Sequence, residues 1–266
     1  MKDQLHRTLQ LNGTPGRIVS LVPSQTELLC DLGLKGSIVG VTKFCVHPHG
    51  IREDKFVVGG TKAIHIDAIR ALNPDIILCN KEENTKTIVE DCTSICPVHV
   101  SHVVTISDCL QLIEHYGDIF DSKEKAHTIV EEIKAKVEDF KRFIAPKPRL
   151  KVAYFIWRAP LMVAGNKTFI NELLNLNKFE NVYANQNRYP EIRSDHDEIK
   201  ILVDVVLLSS EPFPFKEKDK SEFQHYYPNA MVELVDGQMF SWYGSRLTIS
   251  MAYFKTFRLN LQNRQP

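Results

Sequence analysis

The sequence has no excess charge of either sign: 33 basic side chains face 33 acidic ones. A nucleic-acid-binding surface shows a basic excess or a basic stripe, and neither is present. There is no acidic tail and no low-complexity tract. No apolar run approaches the ~18 residues of a membrane span, so membrane insertion is not expected. The opening MKDQLHRTLQLNGTPG lacks the apolar core of a secretory signal. Cysteine is sparse, at six, well below the density of a disulfide scaffold. Cys30, Cys79 and Cys109 lie among apolar residues, as reduced buried thiols do. Cys92 and Cys96, four apart near a helix end, are the two that could approach each other. Reduced thiols without a signal together predict a cytoplasmic protein.

Catalytic patterns are missing as well. There is no G-x-S-x-G elbow, no phosphate-binding G-x-x-x-x-G-K-[ST] and no H-E-x-x-H. Gly59-Gly60-Thr61 is too short for a dinucleotide fingerprint. The adjacent Glu82 and Glu83 read as solvated acids near a helix start. No nucleophile–base pair is visible, which argues against an enzyme.

What is present is an ordinary globular composition, 43% hydrophobic and 25% charged, in a chain long enough for one large or two modest domains. Strand and helix patterns alternate from Arg17 onward. Arg17–Pro23 is an apolar run, and Ser24 with Glu27 forms a capping box for a helix through Leu34. Strands are predicted at Ile38–Thr42, Ile76–Asn80 and Val98–Val103. Helices are predicted at His65–Asn73, Thr85–Ile95 and Ile106–Phe120. Ser122 then opens a long helix to about Ala145, with apolar positions Ala126, Ile129, Val130, Ile133, Val137, Phe140 and Ile144 on one face. At ~1.5 Å per residue it is on the order of 35 Å long. Alternation resumes with strands at Lys151–Trp157, Asp204–Ser210 and Met231–Val235. The accompanying helices are Thr168–Leu176, Asp195–Ile201 and Ser245–Gln262. The fold class is therefore α/β: two Rossmann-like lobes, 1–121 and 147–266, joined by one long backbone helix, 122–146, stiff enough to allow only small relative movement.

Ligands of open α/β sheets bind beyond the carboxyl ends of the strands. The residues there include Pro23-Ser24-Gln25, the stretch from Lys43 to His49, Asn80 to Glu83, Trp157-Arg158, Ser210 to Phe215 and Phe240 to Tyr243. Arg188-Tyr189-Pro190 falls in another predicted loop. Aromatic rings and arginines collected there suit a large flat or anionic ligand. Cys45, His47 and His49 also offer metal-ligand chemistry, although no fourth ligand is identifiable.

This layout resembles the ABC-transporter substrate-binding proteins with a helical backbone between lobes, which carry cobalamin, iron–siderophores, haem or metal ions. The opening RIVSLVPSQTELLCDLGLKGSIVGVT, the block VVGGTKAIHIDAIRALNPDIILCN and the later FSWYGSRL carry the resemblance. It covers about residues 15–262. It implies a non-catalytic binding protein whose small-molecule ligand, a metal chelate, lies in a cleft between the lobes. No separate cofactor is implied. Candidate contacts are Phe44, Cys45, His47 and Asn80 in the first lobe. In the second they are Trp157, Arg158, Arg188, Tyr189, Trp242, Tyr243 and Arg246. The rings would stack on the ligand, and the arginines would neutralise its acidic groups. In the family a glutamate on each lobe docks onto an ABC permease. Here the matching positions hold Asp67 and His196, which weakens the expectation of that partner. The family is usually periplasmic or envelope-anchored, in contrast to the cytoplasmic location expected of this chain. Two alternatives remain: a direct metal-ion buffer or sensor built on Cys45, His47 and His49, and a metal-assisted hydrolase.

Overall fold

The computed structural model describes residues 1–192 and 203–263. Two compact units divide the chain. One takes Met1–Val103, Ser107–Ile133 and Tyr243–Arg246; the other takes Val104–Ile106, Lys134–Trp242 and Leu247–Pro266. The short return of 243–246 to the first unit is not visible in the sequence. It moves Tyr243 and Arg246, assigned above to the second lobe, into the first unit.

The first unit is built on a five-stranded sheet: β1 (Ile18–Ser20), β2 (Ile38–Val41), β3 (Phe56–Val57), β4 (Ile76–Asn80) and β5 (Val98–Ser101), in the order β3-β2-β1-β4-β5. Every pairing is parallel. Parallel neighbours need crossovers, supplied here by helices α1 (Pro23–Asp31), α2 (Ile51–Asp54), α3 (Ile66–Ala71) and α4 (Lys86–Thr93). The expected Ser24 capping box does not form. Val22 is the N-cap with no side-chain bond, and Pro23 occupies the first turn. Proline there needs no N–H partner and presets the helical φ. The helix expected over Thr85–Ile95 forms as Lys86–Thr93, and the Thr85 hydroxyl caps it by accepting from the Ile88 N–H. The core beneath the sheet includes Val19, Leu21, Ile69, Ile77, Cys79, Cys92 and Val100.

Residues 1–9, unassigned from sequence, close the open edge of β5. The buried Asp3 carboxylate accepts the Val100 N–H and the Arg7 guanidinium, while Arg7 donates to the Val98 carbonyl and Gln4 accepts the His102 N–H. Side chains thus pair an edge that would otherwise present free backbone groups.

After α5 (Ile106–Ile119), helix α6 (Lys123–Ile144) runs from the first unit into the second, which takes over at Lys134. Its predicted apolar stripe is buried at Ala126, Val130, Ile133, Val137, Phe140 and Ile144. The second unit holds β6 (Leu150–Trp157), β7 (Met162–Val163), α7 (Phe169–Leu176), β8 (Phe179–Asn181), β9 (Val205–Ser209), α8 (Glu217–Tyr226), β10 (Met231–Val235), α9 (Gly237–Ser241) and α10 (Leu247–Gln262). Its sheet runs β10-β9-β6-β7, with β8 paired to β6 as well. Only β7 is antiparallel. The predicted helix 195–201 lies outside the described residues.

Candidate functional site

In the first unit the strand order reverses at β1 and β4, the usual place for a ligand crevice. That place is filled by the protein itself. Gln25, fully buried just after β1, donates to the Ser101 hydroxyl at 2.6 Å and to the Tyr243 phenol at 2.9 Å. It accepts from the Tyr116 hydroxyl at 2.7 Å. Asn80, at the end of β4, donates to the Ser101 hydroxyl and accepts the Glu82 and Glu83 N–H groups. Burial raises the phenols of Tyr116 and Tyr243 well above the ordinary range, so both remain neutral hydrogen-bonding groups. Asn80 and Tyr243 therefore sit in an internal network. The sequence placed Gln25 at the correct strand end but gave no sign that Tyr116 and Tyr243 would meet it.

Arg246 is also turned inward. Its guanidinium donates to both Glu27 oxygens, at 2.8 and 2.6 Å, and it is 4% exposed. Glu27, expected to cap α1, is instead the counterion of a residue 219 positions away. Burial pushes the Glu27 carboxyl up, against the downward pull of Arg246.

Cys45, His47 and His49 are not brought together as ligands. Cys45 is buried with its sulfur on the Thr26 and Thr42 hydroxyls, at 3.1 and 3.3 Å, and burial raises its thiol. His47 is half-buried and His49 exposed. Among the described residues no three His, Cys, Asp or Glu side chains converge as a metal centre. The expected ligand set is broken at Cys45, which is fully buried on its two threonine partners. Phe44 behaves differently: 48% of it is exposed, with the Lys43 ammonium 5.1 Å from its ring.

In the second unit Trp157, at the end of β6, is 38% exposed. Its indole N–H donates to the Ala159 carbonyl, and its ring meets Phe213 edge to face at 5.8 Å. Arg158 is held by Asp219 and Glu222, at 3.0 and 2.5 Å. Asp219 also accepts the Lys216 N–H at the start of α8, so one buried carboxylate serves both. Trp242 is buried and donates to Glu211 at 2.8 Å, sharing that oxygen with Ser241. Gly237 makes this packing possible, since a Cβ there would lie 2.4 Å from the Ser209 hydroxyl oxygen. Arg188 is exposed at positive φ, and Tyr189 is half-buried. Asp67 is exposed in the first turn of α3. His196 lies outside the described residues.

Residues 18–223 match the family model described as periplasmic binding protein. An ABC transporter substrate-binding lipoprotein of Bacillus subtilis, YvrC, is 26% identical over 77% of this chain and 67% of its own length. A vitamin B12-binding protein of Vibrio campbellii is 22% identical over 68% of this chain and 66% of its own length. The chain thus spans about two thirds of these curated relatives. Among solved structures, the vitamin B12-binding protein BtuF of Vibrio cholerae superposes with a TM-score of 0.79 at 17% identity, covering 94% of this chain and 99% of that one. A periplasmic heme-binding protein of Pseudomonas aeruginosa gives 0.79 at 19% identity, covering 91% and 92%.

These similarities overturn the cytoplasmic expectation, because the family is periplasmic and the Bacillus relative is a lipoprotein. The inference from reduced thiols was misplaced: four of the six cysteines are buried, so packing rather than compartment accounts for their apolar surroundings. No helix among the described residues is long and apolar enough to cross a membrane. The chain belongs to the periplasmic binding protein family, a non-catalytic substrate-binding protein of the ABC-transporter type.

Proposed function

We propose that the protein binds a large metal chelate of the cobalamin class, with exposed aromatic rings next to strand ends as candidate stacking surfaces. The observation that carries this reading is the exposure of two large rings next to strand ends, Phe44 at 48% and Trp157 at 38%. Large apolar rings left open at a binding end need a cover. His47, Arg188 and Tyr189 complete the contact set. Arg158 and Arg246 already have internal carboxylate partners. A ligand rich in carboxylates would have to displace those partners, whereas a chelate bearing amides need not. The curated relatives named for vitamin B12 point the same way. An ABC permease is the proposed partner, with Asp67 at the docking surface. The direct-metal reading of Cys45, His47 and His49 has no geometric support.

The test is visible absorbance after mixing with cyanocobalamin, haem or a ferric siderophore and desalting. Colour retained near one equivalent with cobalamin is the expected result. Trp157→Ala should then weaken binding about tenfold, or ~1.4 kcal/mol. Colour retained only with haem or the siderophore refutes the cobalamin assignment, and no colour with any ligand refutes chelate binding.

A further inference from the structure

The strongest feature outside the proposed site is a buried arginine without a counter-charge. Arg258 lies on α10 and is fully buried. Its Nη2 donates to the Pro148 carbonyl at 2.8 Å, and its guanidinium carbon lies 4.7 Å from the centre of the Phe179 ring. Its Nε and Nη1 have no hydrogen-bond partner. Burial holds the group down at about 10, so it is still charged at neutral pH. Three more cations gather on the same turn of chain, Ala145 to Arg149, which links α6 to β6. Lys178 donates to the Ala145 carbonyl at 2.8 Å. Lys147 donates to Gln262 Oε1 at 2.6 Å, one helical turn beyond Arg258. Arg149 is exposed at the end of the turn. Among the described residues none of these four cations is paired with a carboxylate. The preceding acids, Glu138 and Asp139, hold Lys141, Arg142 and Lys255 instead.

We propose that this turn binds a small oxyanion of the inorganic phosphate class, with Arg258 as its buried anchor and Lys147 and Lys178 as its outer ligands. The carboxyl end of α6 accounts for part of the cluster, since a helix end carries about half a negative charge. Four full positive charges exceed that. A water molecule could accept from Nε and Nη1, but it would leave the desolvated charge uncompensated, whereas an anion supplies both the acceptors and the counter-charge. Each lysine ammonium spends one of its three donors on the protein and keeps two for a ligand. Charge-assisted bonds of this kind are the strong ones. The residues that cover Arg258 from outside are Ala145, Pro146, Pro148 and Arg149, all exposed. Outward movement of this short connection opens the way in, and connecting loops are where such local opening is least costly. The turn lies just before Leu150, at the opposite end of β6 from Trp157, so it is distinct from the proposed chelate contacts.

The experiment is equilibrium dialysis of the full chain against radiolabelled inorganic phosphate at fixed ionic strength. Saturable binding near one phosphate per chain is expected. Arg258→Met, which keeps the bulk and removes the charge, should abolish it. Lys147→Gln combined with Lys178→Gln should weaken it several-fold. Lys86→Gln combined with Lys123→Gln removes the same charge from exposed positions in the first unit and should leave binding unchanged. No saturable binding, full binding in the Lys147 and Lys178 variant, or an equal loss in the Lys86 and Lys123 variant would each overturn the proposal. The two lysines lie on partly exposed positions, so their variant keeps the test valid even where Arg258→Met folds poorly.

Discussion

Replacing Arg246 by alanine tests whether this residue is structural. In the folded chain its side chain is 4% exposed and that of Glu27 is 16% exposed. Two charge-assisted bonds join them. Removing one member of a buried pair leaves the other charge without compensation, at a cost of about 3–5 kcal/mol. Glu27 is not wholly enclosed and can take up a proton, which places Arg246→Ala near the lower end, about 3 kcal/mol. Without Arg246 burial remains the largest influence on Glu27, with His47 pulling its carboxyl down and Asp31 pushing it up, so its folded pKa rises further above its unfolded value. The folded variant then binds a proton that the unfolded chain has released, and stability falls as pH rises from the unfolded carboxylate range through the raised folded pKa. The variant should consequently lose less stability at mildly acidic than at mildly alkaline pH. Replacing both residues, Glu27→Leu with Arg246→Met, removes both buried charges and should recover most of the loss, to within about 1 kcal/mol of wild type. Urea unfolding followed by far-UV circular dichroism reads all three. A loss below about 1 kcal/mol for Arg246→Ala, or a double variant no better than the single, would refute the assignment of a buried pair.

Two further outcomes are expected. His99 is fully buried, neither ring nitrogen has a hydrogen-bond partner, and burial holds it down at about 3; His115 and Tyr116 pack against its ring, and Asp3 and Arg7 act on it electrostatically. Because the unfolded chain takes that proton near pH 6.5, stability is full above this value and falls by about 1.4 kcal/mol per pH unit below it. His115 is depressed in the same sense, so His99→Leu should flatten the acid limb of a pH–stability curve without abolishing it, and an unchanged limb would show that His99 does not drive it. Asp3→Ala removes the acceptor of the Val100 N–H, should cost about 1–3 kcal/mol, and should speed amide exchange at Val100; unaltered protection there would mean that another group seals the edge.

Much of the architecture is legible locally. The β4 and β10 strands fall on the residues that alternation and turn signals assign, and α6 buries the face that its spacing predicts. The β3 and β7 strands escape detection because two residues carry no periodicity. The α8 helix is too polar to show an apolar stripe. The site is less legible. Sequence finds the correct strand ends, since these follow from where strands stop. It misassigns what several side chains do there, because Arg246 with Glu27 and Tyr243 with Gln25 are pairings across more than two hundred residues. A lone arginine or tyrosine reads as available for a ligand when its internal partner is that distant.

The return of residues 243–246 to the first unit also has a meaning for synthesis. A ribosome completes the sheet strands of that unit by Ser101, yet Tyr243 and Arg246 emerge more than a hundred residues later. Until then Gln25 lacks one hydrogen-bond partner and Glu27 lacks its counterion. The half that is made first is finished last, so a fragment ending at the long helix would carry an unfilled polar core rather than a miniature of the native unit.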